Sequence, residues 1–192
     1  MFARVVMYFC VGLAVASCIE SGVDTEVLRA VPVAYTISPE RAGPIDGTTA
    51  YSTAALRQLF PDSDLETVRT ADESGVIHAI TVFQDGLQVF QILPDASGRE
   101  IRAVHGSGLA IAGPSGERLG ATFRETGARR ADCSVGRGAW SGMAVCAHPR
   151  ASNVRLVFDN GGWDGPDSEL APQSHLASGR LHRIVWQPPR AS

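Results

Sequence analysis

The sequence predicts an α+β fold, in which antiparallel sheets pack with two short helices. Three observations favour this class. Short apolar segments alternate with turn residues, as is typical of antiparallel strands. Two other stretches space their apolar residues at helical intervals. The chain has 192 residues, 44% of them hydrophobic, which suits one domain with a buried core.

The first half is predicted to start with a strand at 33–37, followed by a loop rich in turn formers. A helix should then run to Phe60, with Thr48 or Thr49 as its cap. Leu56 and Phe60 share one face of that helix at i, i+4 spacing, so this face should be buried.

A meander of three strands is predicted next, at 77–83, 87–93 and 99–105. The first two are separated by a turn that contains Asp85 and Gly86. Both residue types tolerate the positive φ values of a type I′ turn, so this dipeptide between apolar runs predicts a tight hairpin.

The second half is predicted to follow the same plan, since Ala-Gly-Pro at 112–114 repeats Ala-Gly-Pro at 42–44. A short helix over 119–125 should be stopped by Gly127. A loop is predicted at 160–172, and strands are predicted at 131–135, 143–148, 154–158 and 181–186. The hypothesis that follows is a chain of two similar halves, each a helix followed by antiparallel strands.

The N-terminus predicts export and lipid attachment. Arg4 precedes an apolar run over residues 5–16, which is too short to span a bilayer and fits a signal peptide. The run ends in Val-Ala-Ser followed by Cys18, the pattern of a bacterial lipobox, in which the cysteine is acylated. The alternative is an ordinary signal peptide with a cysteine near the cleavage site by chance.

These features divide the chain into a signal peptide at 1–17, a lipidated tether at 18–32 and a single periplasmic α+β domain at 33–192. Several acyl chains on Cys18 would give stable anchoring. Ile19 follows the cysteine, and the absence of Asp at this position favours the outer membrane over the inner one. The expected location is therefore the outer membrane, facing the periplasm.

The other cysteines fit an oxidising compartment. Cys10 lies in the segment that would be removed, which leaves Cys133 and Cys146 as an even pair. They flank the glycine-rich segment 136–142, on the two arms of a predicted hairpin, where facing strands can bring them within disulfide distance. Two free buried thiols are the alternative.

Four segments carry a resemblance to a known family. They are Ile-Ser-Pro-Glu-Arg-Ala-Gly-Pro-Ile at 37–45, Leu-Phe-Pro at 59–61, Leu-Gly-Ala-Thr-Phe at 119–123 ahead of the two cysteines, and Trp-Asp-Gly-Pro-Asp at 163–167 leading to Ile-Val-Trp at 184–186. Together they resemble the RpoE-regulated lipoproteins, a family of unknown function. The resemblance implies an outer-membrane lipoprotein linked to envelope stress, and it implies no catalytic residues.

No catalytic, metal or cofactor site is predicted. The five histidines show no spacing typical of metal ligands: His78, His105, His148, His175 and His182. Ser107 lies in a His-Gly-Ser-Gly segment that is better explained as a turn than as an oxyanion-hole loop. The oxygen-rich segment 159–169 does not have the spacing of a calcium loop. The sequence has no phosphate loop or dinucleotide motif, and no basic cluster that would indicate nucleic acid.

Two functions follow from these observations. The first is a non-enzymatic binding or structural module, held at the membrane by its lipid and in contact with an envelope protein. The alternative is a periplasmic hydrolase acting on cell-wall or lipid material, with its site near His105 or in the region from His175 to His182. A histidine, a carboxylate and a serine that converge in one pocket would favour the hydrolase.

Overall fold

A computed structural model describes residues 31–189. Its main element is an eight-stranded antiparallel sheet. The strands of the sheet are β4 (Asp64–Asp72), β5 (Gly75–Gln84), β6 (Leu87–Pro94), β7 (Ile101–Gly106), β9 (Cys133–Val135), β10 (Ala144–His148), β11 (Ala151–Phe158) and β12 (Leu181–Trp186). The predicted signal peptide, Cys18 and the predicted tether up to residue 30 lie outside the described residues.

The strand order is β4-β5-β6-β7-β12-β11-β10-β9. Each half of the chain therefore contributes a meander of four strands, and the last strands of the two meanders, β7 and β12, pair in the centre. The outer strands β4 and β9 form the edges of the sheet. This arrangement has the predicted antiparallel pairing, but the protein is mostly β, with few helical residues.

The Asp85-Gly86 hairpin is confirmed. Asp85 has φ of 52° and Gly86 has φ of 75°, and the two residues alone connect β5 to β6. These values are those of a type I′ turn, whose twist matches the twist of the strands beside it. The predicted last strand at 181–186 also coincides with β12.

The first helix is present, but its predicted cap was wrong. Helix α1 (Thr53–Leu59) begins after Ser52, whose side chain accepts a hydrogen bond from the amide of Ala55 at 3.1 Å. The hydroxyls of Thr48 and Thr49 instead donate to Asp46, in a turn that precedes the helix. A threonine can stabilise a turn as readily as a helix start, so composition alone did not distinguish the two positions.

The second helix is shorter than predicted. Helix α2 (Phe123–Thr126) starts at a capping box formed by Thr122 and Glu125, and it ends at Gly127 with φ of 68°, as predicted. A third helix, α3 (Gln173–Leu176), follows the 160–172 loop and was not predicted.

The remaining strands are short. Tyr35–Thr36 form β1, which pairs in parallel with β8 (Ile111–Ala112), so the predicted strand at 33–37 is only partly present. Arg41–Ala42 and Ile45–Asp46 form the hairpin of β2 and β3. Strand β4 was not predicted from the sequence, because its residues are mostly polar and only Asp72 among the nine is fully buried.

Both faces of the sheet bury apolar residues. The first face carries the main core, which includes Phe60 from the end of α1, Phe123 from α2 and Leu176 from α3. The second face carries a smaller cluster, whose buried members are Ala79, Leu93, Ala103, Trp140, Val145, Val157 and Val185. Trp140 belongs to a 3₁₀ turn, Gly138–Trp140, which covers part of the second face.

The segment after β9 reaches the opposite edge of the sheet. The amide of Arg137 donates to the Glu73 carboxylate at 3.0 Å, and Glu73 lies in the turn between β4 and β5. The two edges of the sheet therefore approach each other on the second face. This approach encloses the cleft described below.

Candidate functional site

A cleft of about 460 Å³ opens on the second face of the sheet. Its apolar lining comprises Ala103 from β7, Val185 from β12, Val145 from β10, Val135 from β9 and the side chain of Trp140. The small side chains on three strands of the sheet leave the space, and the indole closes one side of it. A cleft of this volume lies within the usual range for small-molecule sites.

Three arginines line the same cleft. Arg155 lies on β11 directly opposite Val185 of β12, Arg137 lies in the segment after β9, and Arg102 lies on β7. Arg102 has no partner in the pairing of β6 with β7, because the register shifts at this point. Such an irregularity lets it share the cleft with its neighbour Ala103, although neighbours in a regular strand face opposite sides.

The three guanidinium groups differ in their partners. Arg102 donates to the carboxylate of Asp72 at 2.7 Å, in an ion pair whose acidic side chain is only 4% exposed. In contrast, neither Arg137 nor Arg155 has a hydrogen-bond or ion-pair partner for its guanidinium among residues 31–189. Arg155 is only partly exposed, so its charge is partly shielded from water.

Asp72 stays ionised at neutral pH in this cleft. Burial raises the pKa of the carboxyl, but hydrogen bonds from Ser74 and Arg102 outweigh that effect, so the pKa lies below its ordinary value. Asp72 therefore neutralises Arg102 and holds it in place. Among residues 31–189, neither Arg137 nor Arg155 has a carboxylate paired with its guanidinium in this way.

His105 contributes a neutral ring to the cleft. Its side chain is buried on β7, with the ring centroid 5.3 Å from that of Trp140. Burial lowers the pKa of His105 to about 3, and the positive charges of Arg183 and Arg102 act in the same direction. A histidine with so low a pKa stays neutral at pH 7 and is too weak a base to take a proton from a substrate.

A disulfide joins Cys133 to Cys146, as predicted, with an S–S distance of 2.06 Å. The two residues are direct partners in the pairing of β9 with β10. The chain between them carries Arg137 and Trp140, so the disulfide closes the base of the arm that forms one side of the cleft. At Gly136 a Cβ atom would overlap the carbonyl of Trp140, which explains why a glycine is needed at the bend.

A histidine, a carboxylate and a serine do meet, but elsewhere. His148 Nε2 lies 2.9 Å from Glu117 Oε1 and 3.2 Å from Ser115 Oγ. The amide of Arg150 donates to His148 Nδ1, so the ring proton is on Nε2. Nε2 therefore donates to the carboxylate and cannot accept the proton of Ser115, whereas a catalytic histidine contacts these two groups through different nitrogens. This cluster has no recognisable motif, so it was not identified from the sequence.

The regions named for the alternative hydrolase do not form a similar arrangement. Ser107 accepts a hydrogen bond from Gln88, and no hydrogen bond joins it to the ring of His105 in the described part of the chain. His175 is exposed on α3. His182 is half exposed and lies 3.1 Å from Asp159.

The described residues hold no group of three or more His, Cys, Asp or Glu side chains placed to bind a metal ion. The oxygen-rich segment is used in turns, since Asp159 Oδ1 accepts from the amide of Gly161 and Asn160 Oδ1 accepts from that of Gly162. Within residues 31–189, no helix has both the length and the hydropathy needed to cross a membrane.

Comparison with known proteins places this fold in a family. The family described as "protein of unknown function (DUF1131)" matches residues 31–188, which cover most of the chain. The chain belongs to the DUF1131 family. A crystal structure of the uncharacterized protein YfeY from Escherichia coli is similar to this DUF1131 member, with a TM-score of 0.64 and 16% sequence identity, over 79% of this chain and 99% of that one. At this identity the likeness shows the fold alone. No curated protein matches the sequence.

Among the residues that line the cleft, the sequence analysis singled out His105, as a possible hydrolase site, and did not identify the three arginines. Alternation along β11 does place Arg155 on the same face as Val157 and opposite Leu156, which belongs to the main core. That signal could have assigned Arg155 to a face. It could not have shown which other arginines share the face, since this depends on the order and register of the strands.

Proposed function

We propose that this DUF1131 member is a lipid-anchored envelope protein, whose domain binds a small ligand in the cleft of the second face and catalyses no reaction. The observation that carries the proposal is the cleft itself: it combines an apolar lining with two guanidinium groups that have no partner among the described residues. Polar side chains outnumber apolar ones in this lining, so the converging charged groups in a concave site are what favour a bound ligand.

The proposed anchor is supported by the sequence. The apolar run that ends in Val-Ala-Ser-Cys18 has the form of a lipobox, and the resemblance to RpoE-regulated lipoproteins supports an outer-membrane location and a link to envelope stress. In cells that express the Cys18→Ala variant, labelling of the protein with radioactive palmitate should be lost. Label that remains on the Cys18→Ala protein would refute the anchor.

The hydrolase remains the second candidate, and the geometry gives it less support. His148 donates to Glu117 through the nitrogen that also faces Ser115, and His105 is a weak base without a hydrogen bond to a serine. Ser115→Ala should therefore leave any activity against cell-wall or lipid substrates unchanged. A loss of such activity in this variant would instead support the hydrolase.

The cleft can be tested by obstruction. Ser134 lines the mouth of the cleft on the edge strand β9 and is exposed, so Ser134→Tyr should fill part of the space without disturbing the core. Small molecules that copurify with the full-length protein from membranes should be identified by mass spectrometry. We expect at least one compound that is present with the wild type and absent with Ser134→Tyr. Identical contents in the two proteins would contradict binding in the cleft.

An envelope protein partner is part of the same proposal. The large apolar side chains that are exposed in the described residues are Val33, Val76, Leu87 and Leu109. They lie in four separate segments of the chain, and nothing in their positions singles out one contact surface. Crosslinking in intact envelopes, followed by identification of the bound protein, tests whether a partner exists.

A further inference from the structure

The charge of the cleft selects among possible ligands. Its lining contains Arg102, Arg137 and Arg155 together with the carboxylates of Asp72 and Glu73. Asp72 pairs with Arg102, and Glu73 accepts from the backbone amide of Arg137. With His105 neutral, the cleft keeps an excess of one positive charge. A ligand that carries a single negative charge would neutralise this excess.

The apolar lining lies directly beside the basic groups. Arg155 is the cross-strand partner of Val185, and Val145 lies on the strand on the other side of β11. Trp140 borders the same space and is 6% exposed. The apolar surface in the cleft is small, because Val145 and Val185 are only 3% and 4% exposed, and an inorganic anion would contact the arginines and leave this surface in water. A neutral apolar ligand would cover the surface but would take water away from Arg155 without replacing its hydrogen bonds, which is costly.

From this juxtaposition we infer that the cleft binds an amphiphilic monoanion, with its negative group against Arg155 and Arg137 and its apolar part against Val145, Val185 and Trp140. The inference deepens the proposed function and rests on it. Guanidinium groups suit a carboxylate or a phosphodiester, because each offers two oxygens to the paired N–H donors of arginine. A free carboxylate and the phosphodiester of a membrane phospholipid share this chemistry. The experiment below therefore has an arm that separates these two sources of the ligand.

The probe for this inference is octanoate, with octanol as its neutral match and octyltrimethylammonium as its cationic match. The full-length lipidated protein is placed in nanodiscs of phosphatidylcholine, and binding is measured by calorimetry against protein-free nanodiscs. We expect octanoate to bind at least about tenfold more tightly than octanol, because only octanoate accepts hydrogen bonds between two charged groups from the guanidinium donors. Octyltrimethylammonium should not bind.

Substitutions then locate the negative group. Arg155→Met should weaken octanoate binding about tenfold or more, whereas Arg137→Met should weaken it about two- to fivefold, because this arginine is more exposed to water. Arg155→Lys keeps the charge and should recover part of the affinity, which separates a lost contact from a folding defect. Arg57→Met is the matched control, since Arg57 is exposed on α1 and does not line the cleft.

The outcomes separate this inference from the function on which it rests. If octanol binds as tightly as octanoate and Ser134→Tyr abolishes both, binding in the cleft stands and the anionic class is refuted. If Ser134→Tyr leaves octanoate binding unchanged, both are refuted. An equal loss with Arg57→Met and Arg155→Met would also overturn the inference.

A further arm identifies the source of the anion. Octanoate binding that is lost in nanodiscs containing phosphatidylglycerol would support a phospholipid as the natural ligand. Equal binding in both lipids would support a free carboxylate.

Discussion

The disulfide between Cys133 and Cys146 gives the most direct test of how the cleft is built. The double substitution Cys133→Ala/Cys146→Ala removes the bond. Alanine is preferable to serine because Cys146 is fully buried in the main core, where a serine hydroxyl would need a partner. The loss should destabilise the arm between the two cysteines, which carries Arg137 and Trp140.

The size of the effect follows from the loop that the bond closes. The two cysteines are 13 positions apart, and a cross-link over a loop of this length lowers the entropy of the unfolded chain by an amount worth about 3 kcal/mol on the loop-entropy account. For a domain of this size, each kcal/mol corresponds to about 2–4 °C in the melting temperature. We therefore expect the double variant to melt about 6–12 °C lower than the oxidised protein.

Thermal unfolding followed by circular dichroism measures this difference, with and without a reductant. Reduction should lower the melting temperature of the wild type by a similar amount and should leave that of the double variant unchanged. The double variant is therefore the control for other effects of the reductant. Alkylation before reduction, followed by mass spectrometry, should find neither Cys133 nor Cys146 modified. Thiols that alkylate without reductant, or a melting temperature that reduction does not change, would refute the reasoning.

Three further predictions concern single residues. Trp186→Ala should lower the free energy of unfolding by about 3–5 kcal/mol in urea titrations, because the side chain is fully buried. The variant leaves no carbonyl without a donor, because Pro39 O also accepts a hydrogen bond from Asn153, so the loss measures packing. A loss below about 1 kcal/mol would contradict the assigned packing. His105→Gln should flatten the pH dependence of stability between about pH 6.5 and pH 3. In the wild type the folded state keeps this ring neutral while the unfolded state takes up a proton, so stability should fall as the pH falls through this window. An equal loss of stability in the variant would contradict this prediction. Thr81→Val should be neutral or stabilising in the same titrations, because the buried hydroxyl of Thr81 has no partner in the described residues, and a clear loss of stability would show a missing contact.

Local features of the chain could be predicted wherever neighbouring residues decide the conformation. The turn at Asp85 and Gly86 and the end of α2 at Gly127 both depend on backbone angles that these residue types accept. The start of α1 at Ser52 was predicted wrongly, because several residues near it can cap a helix. Strand β4 was missed since an edge strand with a single fully buried residue does not need an apolar pattern.

The cleft depended on information that no local pattern contains. Arg102, Arg137 and Arg155 lie in three segments that are far apart in the sequence, and each is an ordinary basic residue in its own segment. They share one face only because β7 pairs with β12 in the centre of the sheet and the segment after β9 returns to the turn that carries Glu73. The neutral state of His105 likewise results from burial on this face.

The sequence by itself determined the Asp85-Gly86 hairpin, the pairing of the two cysteines and the extent of β12, and it predicts export and lipidation. These properties follow from the residue types and their spacing along the chain. The tertiary structure alone decided which arginines meet, which carboxylate neutralises one of them, and which nitrogen of His148 carries the proton. The physical reason is that charge balance and protonation depend on distances across strands, and those distances are fixed only when the register of the whole sheet is set.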